Sequence, residues 1–195
     1  MTTICLVRHG ETNWNRLGIM QGQKDISLNE KGIKQACLCG DFLKREHWDI
    51  IVSSPLKRAK KTAEIIGAYI GMDKVLEMDE FKERFYGEDV KAMKTSRKTA
   101  LLGPDIKETE SIQMLTDRSL LGLTILVNKN PGKKILVVSH GDVIRAILSA
   151  VSNREISYDK VKLENASLNL LYYNTNKWNI DGYNLISHLE KLEYY

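Results

Sequence analysis

Arg8, His9, Gly10 and Glu11 stand where an apolar run ends, and their types suit phosphoryl chemistry. A guanidinium is a planar fork of donors that matches the oxygens of a phosphate, and a neutral imidazole beside it is a nucleophile or proton carrier near neutral pH. One Arg-His pair alone is more often surface structure than chemistry. The pattern recurs, however. Ser139, His140 and Gly141 follow a second apolar run, and Ser53, Ser54 and Pro55 follow a third, with Arg58 in the next turn. Chance placement of two arginines and two histidines at three such points is a poor explanation.

The runs themselves say what positions these residues. Ile4 to Val7, Ile50 to Val52 and Ile135 to Val138 are short, apolar and rich in β-branched residues, as strands buried on both faces of a parallel sheet are. If they run parallel, all three open at one sheet edge, where open α/β sheets bind ligands. Helices are expected between them. Ser27 and Glu30 have capping-box spacing ahead of a face formed by Ile33, Ala36, Cys37, Gly40 and Leu43. The next helix is expected to open with Ser54 as N-cap and Pro55 at its first position, and to bury Ala59, Ala63, Ile66 and Ile70. Arg58 then lies about one turn inside a helix N-terminus, where free N–H groups and the dipole favour an anion. A long helix with Leu115, Arg118, Leu121, Leu123 and Val127 is expected from Glu110 towards Asn130, and another from Asp142 to Val151. Strands from Ser167 to Tyr173 and from Trp178 to Tyr183 complete the chain.

In order, LVRHGETNWN, QGQKDISLNEKG, SSPLKRAKKTA, FKERFYGE and VVSHGDVIR resemble the histidine phosphatase superfamily, also called phosphoglycerate mutase-like, over nearly the whole chain. RHG alone is a weak match; RHGET with SSPLKRA and a downstream SHG at these distances is a specific one. The wording is closest to small bacterial broad-specificity phosphatases. The resemblance implies an α/β three-layer sandwich, a mostly parallel central sheet flanked by helices on both faces. It also implies roles. His9 matches the nucleophile, which attacks phosphorus and gives a phosphohistidine, splitting one hard displacement into two easier ones. Arg8 and Arg58 match phosphate-gripping positions, and His140 matches the second histidine, a donor to an equatorial oxygen.

Glu83 in FKERFYGE takes the place of the proton donor, and after the first step it can activate water. Only the resemblance selects it over Glu77, Glu80 or Glu88. The family usually continues past the glycine with an aromatic residue and a second glycine, whereas here Gly87 leads into Glu88, Asp89, Val90 and Lys91. Asn15 matches a further pocket position and equally suits a turn or helix cap. Gln21, Gly22 and Gly141 complete the expected substrate contacts.

Composition fits one enzyme domain over residues 1–195. Hydrophobic content is 43% and charged content 28%, with no linker-like stretch or repeat. No apolar run is long enough to span a bilayer and no leader precedes the first strand, so a cytoplasmic protein without a membrane partner is expected. Cys5, Cys37 and Cys39 have no metal-type spacing and are expected to be reduced packing residues. A net charge of +4 is too small to imply nucleic acid. Lys91, Lys94, Arg97 and Lys98 could overhang the site, but such runs are more often a solvated helix face. The histidines at 9, 47, 140 and 188 include no metal-binding spacing, and no G-x-G-x-x-G follows the first strand, so neither metal nor nucleotide cofactor is expected.

Three functions are compatible with these residues. The first is a phosphatase of small phosphorylated metabolites, and the second is a mutase that returns the phosphoryl group to another hydroxyl. The third is a silent phospho-ligand-binding module. Mutases of the family carry longer basic segments after the acid, and the short stretch from Gly87 to Glu110 favours the phosphatase.

Overall fold

The computed structural model describes residues 1–87 and 109–194. In chain order the elements are β1 (Thr2–Arg8), α1 (Asn13–Arg16), α2 (Glu30–Leu43), β2 (Ile50–Ser53), α3 (Lys57–Ile70) and β3 (Leu76–Glu77). There follow α4 (Ile112–Lys129), β4 (Lys134–Ser139), α5 (Gly141–Val151), β5 (Leu168–Asn174) and β6 (Lys177–Leu185). The six strands form one sheet in the order β3-β2-β4-β1-β5-β6. The first four are parallel to one another, and β5 and β6 add an antiparallel hairpin beside β1. The expected mostly parallel sheet is therefore present.

Alternation along the central strands divides the core into two layers, because successive side chains of a strand point to opposite faces. Ile4, Leu6, Ile135 and Val137 pack with Leu123, Ile144 and Ile147 of α4 and α5. Cys5, Val7, Leu136 and Val138 pack with Cys39, Ala59, Ala63 and Ile66 of α2 and α3. Each layer buries a strand face, a helix stripe and little else, which is the condition for a three-layer sandwich. The three cysteines are free; Cys5 and Cys39 are buried. Burial pushes the Cys5 thiol up to about 12. No helix among the described residues is long and apolar enough to cross a membrane.

Two helix starts depart from the sequence reading. Asn29, not Ser27, caps α2: its Oδ1 accepts from Gly32 N at 2.8 Å and its Nδ2 donates to Glu11 Oε1 at 2.9 Å. The buried face is correspondingly turned, taking Gly32, Gln35, Ala36, Cys39, Gly40 and Leu43 inward and leaving Ile33 42% exposed. The expected Ser54 cap of α3 is also wrong. Ser54 N still donates to Val138 O at 3.0 Å, so the chain remains extended there, and α3 begins only at Lys57. Its first N–H is satisfied from outside by Asp25 Oδ1 at 2.7 Å. Arg58 is thus the second residue of the helix. Leu121 of α4 faces solvent.

The register brings the strand ends level. Arg8 lies opposite Ser139, and Ser53 opposite Val138, so the residues following β1, β2 and β4 share one edge. Backbone contact fixes the first of these turns against α2. A Cβ on Gly10 would sit 2.4 Å from Gly32 O, and one on Gly32 would sit 2.1 Å from Glu11 O. Glycine at both positions is what lets α2 start directly over the turn.

Candidate active site

A cavity of about 450 Å³ opens at this edge, and Arg8, His9, Asn15, Arg58 and Glu83 all line it. His9 is 2% exposed. Its Nδ1 lies 2.7 Å from Gly10 O, and a carbonyl can only accept, so Nδ1 carries the proton and Nε2 the lone pair. Burial, and then the guanidinium groups of Arg58 and Arg8, hold the imidazole well below its usual range. A neutral ring in this tautomer keeps the Nε2 lone pair that nucleophilic attack requires.

Arg58 is fully buried, which a guanidinium tolerates only when hydrogen-bonded. Its Nη1 donates to Lys24 O and its Nη2 to Gly22 O, both at 2.7 Å. Arg8 Nη1 donates to Leu163 O at 2.5 Å. In both arginines Nε is buried without a partner among the described residues. Burial lowers both groups, Arg58 to about 10, which still leaves it charged at neutral pH. Two charged forks with unused donors beside a neutral imidazole make an anion site.

His140 follows β4 and is fully buried, its ring centroid 5.2 Å from that of His9. It backs His9 and is not on the cavity wall. Nε2 lies 2.8 Å from Ser54 Oγ, and Nδ1 has no partner among the described residues. Burial, followed by the charges of Arg58, depresses this imidazole too. The other two histidines lie elsewhere: His47 is exposed beside Asp49, and His188 is bonded to Ala166 O at 3.0 Å.

Glu83 reaches the cavity from a loop without regular structure, and its Oε1 accepts from Arg84 N at 2.8 Å. Side chains hold this loop. Arg118 of α4 donates to Glu80 O at 2.8 Å and to Glu83 O at 3.2 Å. The same guanidinium grips both carboxylate oxygens of Glu110, one of which accepts from Phe85 N at 3.1 Å. Gln23 Nε2 adds a bond to Glu83 O at 2.9 Å, and Ser139 Oγ ties Phe81 O to β4 at 2.8 Å.

Asn15 does both things its sequence allowed. Its Oδ1 accepts from Thr12 N at 3.1 Å in a reciprocal cap, and the residue still lines the cavity. Gln21, buried and also on the wall, accepts from Thr12 Oγ1 at 2.9 Å. Gly22 and Gly141 border the cavity, Gly22 with φ of +49°. Sequence reasoning missed Tyr86, Asp142, Arg145 and Asn165 on the wall, and the supporting roles of Arg118 and Glu110. Asp142 and Arg145, one helical turn apart in HGDVIR, were the one signal available. The basic segment from Lys91 to Leu102, and the departure at Glu88 to Lys91, lie outside the described residues. No group of three His, Cys, Asp or Glu among the described residues could hold a metal ion.

The sequence profile of the histidine phosphatase superfamily, branch 1, matches residues 4–186. The chain is 44% identical over 190 residues to a protein named uncharacterized phosphatase PhoE of Bacillus subtilis, covering 97% of each. It is 36% identical to a metal-independent phosphoserine phosphatase of Arabidopsis thaliana, covering 98% of this chain and 85% of that protein. Among solved structures, a mutant phosphoserine phosphatase of Entamoeba histolytica in complex with phosphoserine superposes with a TM-score of 0.85 at 30% identity. That match covers 97% of this chain and all of the other.

Proposed function

We propose that His9 is the phosphoryl acceptor of this chain, which belongs to the histidine phosphatase superfamily and hydrolyses small phosphate monoesters. The single observation that carries the assignment is the bond from His9 Nδ1 to Gly10 O, which leaves a neutral Nε2 facing a cavity with two arginine forks.

The residues divide the reaction as follows. Arg8 and Arg58 take the non-bridging oxygens of the phosphate, and the Nε donors that lack partners find them there. His9 Nε2 forms a bond to phosphorus as the ester bond breaks. The departing alkoxide takes the proton of Glu83, and the imidazolium that results keeps its Nδ1–H on Gly10 O. Charge that builds on the transferring group meets dipoles and cations already in place, so little reorganisation is needed. With Ser54 donating to His140 Nε2, Nδ1 of that ring carries a proton, and His140, packed behind His9, acts on the reaction through that neighbouring imidazole.

In the second half Glu83, now ionised, takes a proton from water as the oxygen attacks phosphorus. Inorganic phosphate leaves and His9 returns to its neutral form. Asn15, Gln21, Gly22 and Gly141 line the remaining wall against the rest of the substrate. None of these steps requires a metal ion.

Rapid quench with substrate labelled in the phosphoryl group tests the assignment. Wild-type protein is expected to carry acid-labile, base-stable label, and His9→Ala to carry none. Undiminished label in that variant excludes His9 as the acceptor.

A further inference from the structure

A third guanidinium stands on the same cavity with no part in the steps above. Arg145 lies on α5, and its Nη2 is paired with Asp142 Oδ1 one turn earlier. The other oxygen of Asp142 accepts from the hydroxyl of Tyr86, and the Arg145 Cζ lies 5.4 Å from the centre of the Tyr158 ring. A carboxylate and an aromatic ring thus fix the fork in one place. It nonetheless lines the cavity, and its Nε is buried with no partner among the described residues.

Its distance from the phosphate site is short. A Cβ built on Gly141 would be 3.5 Å from Arg8 Nε and 4.0 Å from Arg145 Nη2, so the two forks border one space that the missing side chain leaves open. A phosphate dianion held by Arg8 and Arg58 leaves Arg145 for a second anionic group a few bonds away.

We infer that Arg145 is a specificity-determining residue that receives a carboxylate on the substrate, so that the preferred esters are short phosphorylated carboxylic acids. This rests on the phosphatase reading and on Arg8 as a phosphate ligand. The chemistry selects a carboxylate over a second phosphate. The Asp142–Arg145 pair carries no net charge, which suits a planar monoanion held by parallel hydrogen bonds. A second dianion there would find the cations of this wall already matched, Arg145 by Asp142 and Lys162 by Glu164 at 3.2 Å, with no spare positive charge for its second negative one. Gly141 is then required for a further reason: any side chain would occupy the path between the two anionic groups.

A matched pair of esters isolates the effect. 3-Phosphoglycerate and glycerol 3-phosphate differ in a carboxylate against a hydroxymethyl group, and kcat/KM is measured on both, with an aryl phosphate as a third substrate. Wild-type enzyme is expected to prefer 3-phosphoglycerate about tenfold or more, the scale of a charge-assisted hydrogen bond. Arg145→Met is expected to lower the ratio of the two esters about tenfold to hundredfold. Arg145→Lys, which keeps charge and stem and loses only the fork, carries the test if the methionine variant does not fold, with an expected fall in the ratio of about threefold to tenfold. A ratio that is unchanged in both variants, or no wild-type preference, overturns the carboxylate assignment while aryl phosphate turnover leaves the phosphatase reading standing. Absence of turnover on all three esters in the wild type is the separate failure of that reading.

Discussion

The strand-end cradle and the loop that carries Glu83 face the same cavity and are built in opposite ways. In the cradle, Arg8, His9 and His140 directly follow or end strands of one parallel sheet, and Arg58 sits in the first turn of the helix after another. Their positions are set by ladder hydrogen bonds and by buried apolar layers on both faces. The loop has neither. Glu83 is placed by Arg118 and Gln23, which reach its carbonyl, and by Glu110, which holds Phe85 N two residues on. In the proposed division of roles, phosphate binding is thereby tied to global folding, and proton donation to a few polar bonds that can be broken singly.

The largest effect that separates the two regions is expected from Glu83→Gln, because a general acid matters in proportion to the basicity of the leaving oxygen. On an alkyl phosphate the loss in kcat is expected to be about 10²- to 10⁴-fold. On an aryl phosphate with an acidic phenol it is expected to be small. Parallel steady-state measurements on the two esters decide it. Equal losses would mean that Glu83 positions substrate like a member of the cradle, and the contrast between the regions would fail.

Next in size is Arg118→Met. Arg118 touches no reacting atom in the scheme and acts through Glu83, so it is a positioning residue. Removing it frees Glu80 O, leaves Glu83 O with Gln23 Nε2 as its remaining side-chain donor and takes the cation from the Glu110 carboxylate, which is 11% exposed. Misplacement of a catalytic group by about 1 Å can cost up to about a hundredfold, and a loss of about ten- to thirtyfold in kcat is expected here. The diagnostic feature is its pattern. The loss is expected to follow leaving-group basicity as Glu83→Gln does, with partial recovery in Arg118→Lys. A uniform loss on every ester would instead place Arg118 in the general stability of the fold.

The same division explains what the sequence disclosed. Continuous apolar runs ending at Arg8, Ser53 and Ser139 are local patterns, so the cradle and the parallel strands could be read directly. Glu83 has no such pattern around it. It was selected by resemblance, and its supports at Glu110 and Arg118 are 27 and 35 residues away. The helix starts failed for a related reason. Ser54 has the composition of a cap, but its hydroxyl serves His140 and its N–H extends the sheet, so tertiary bonds overrode the local preference. Asn29 displaced Ser27 because it alone could serve Gly32 and Glu11 together. Asp142 and Arg145 are one turn apart in sequence, but only the start of α5 at the cavity gives that pair a place in the site.

The smallest expected effect is on stability, and most of it belongs to the cradle. His9 and His140 are fully buried and held well below the ordinary imidazole value of 6.5, first by burial and then by Arg58. In the unfolded chain both take up protons as the pH falls past that value; in the folded protein they do so only at lower pH. A depressed folded value means that stability is at its full level above about pH 6.5 and declines from there downwards. Between pH 6.5 and 5.5 each imidazole is expected to cost about 1 kcal/mol. The carboxylates held low by surface lysines, Glu46 and Asp49, act only below their ordinary values of 4.5 and 3.8. Urea midpoints at pH 7.5, 6.5 and 5.5 measure the slope, and His140→Asn isolates one imidazole. That variant is expected to lose stability at every pH and also to flatten the acid slope by about a third to a half. His188, lowered by burial at a separate position, contributes the part that remains when both site histidines are replaced. An acid slope that survives in full without them would show that the imidazoles of the cradle are not the groups whose burial the fold must offset.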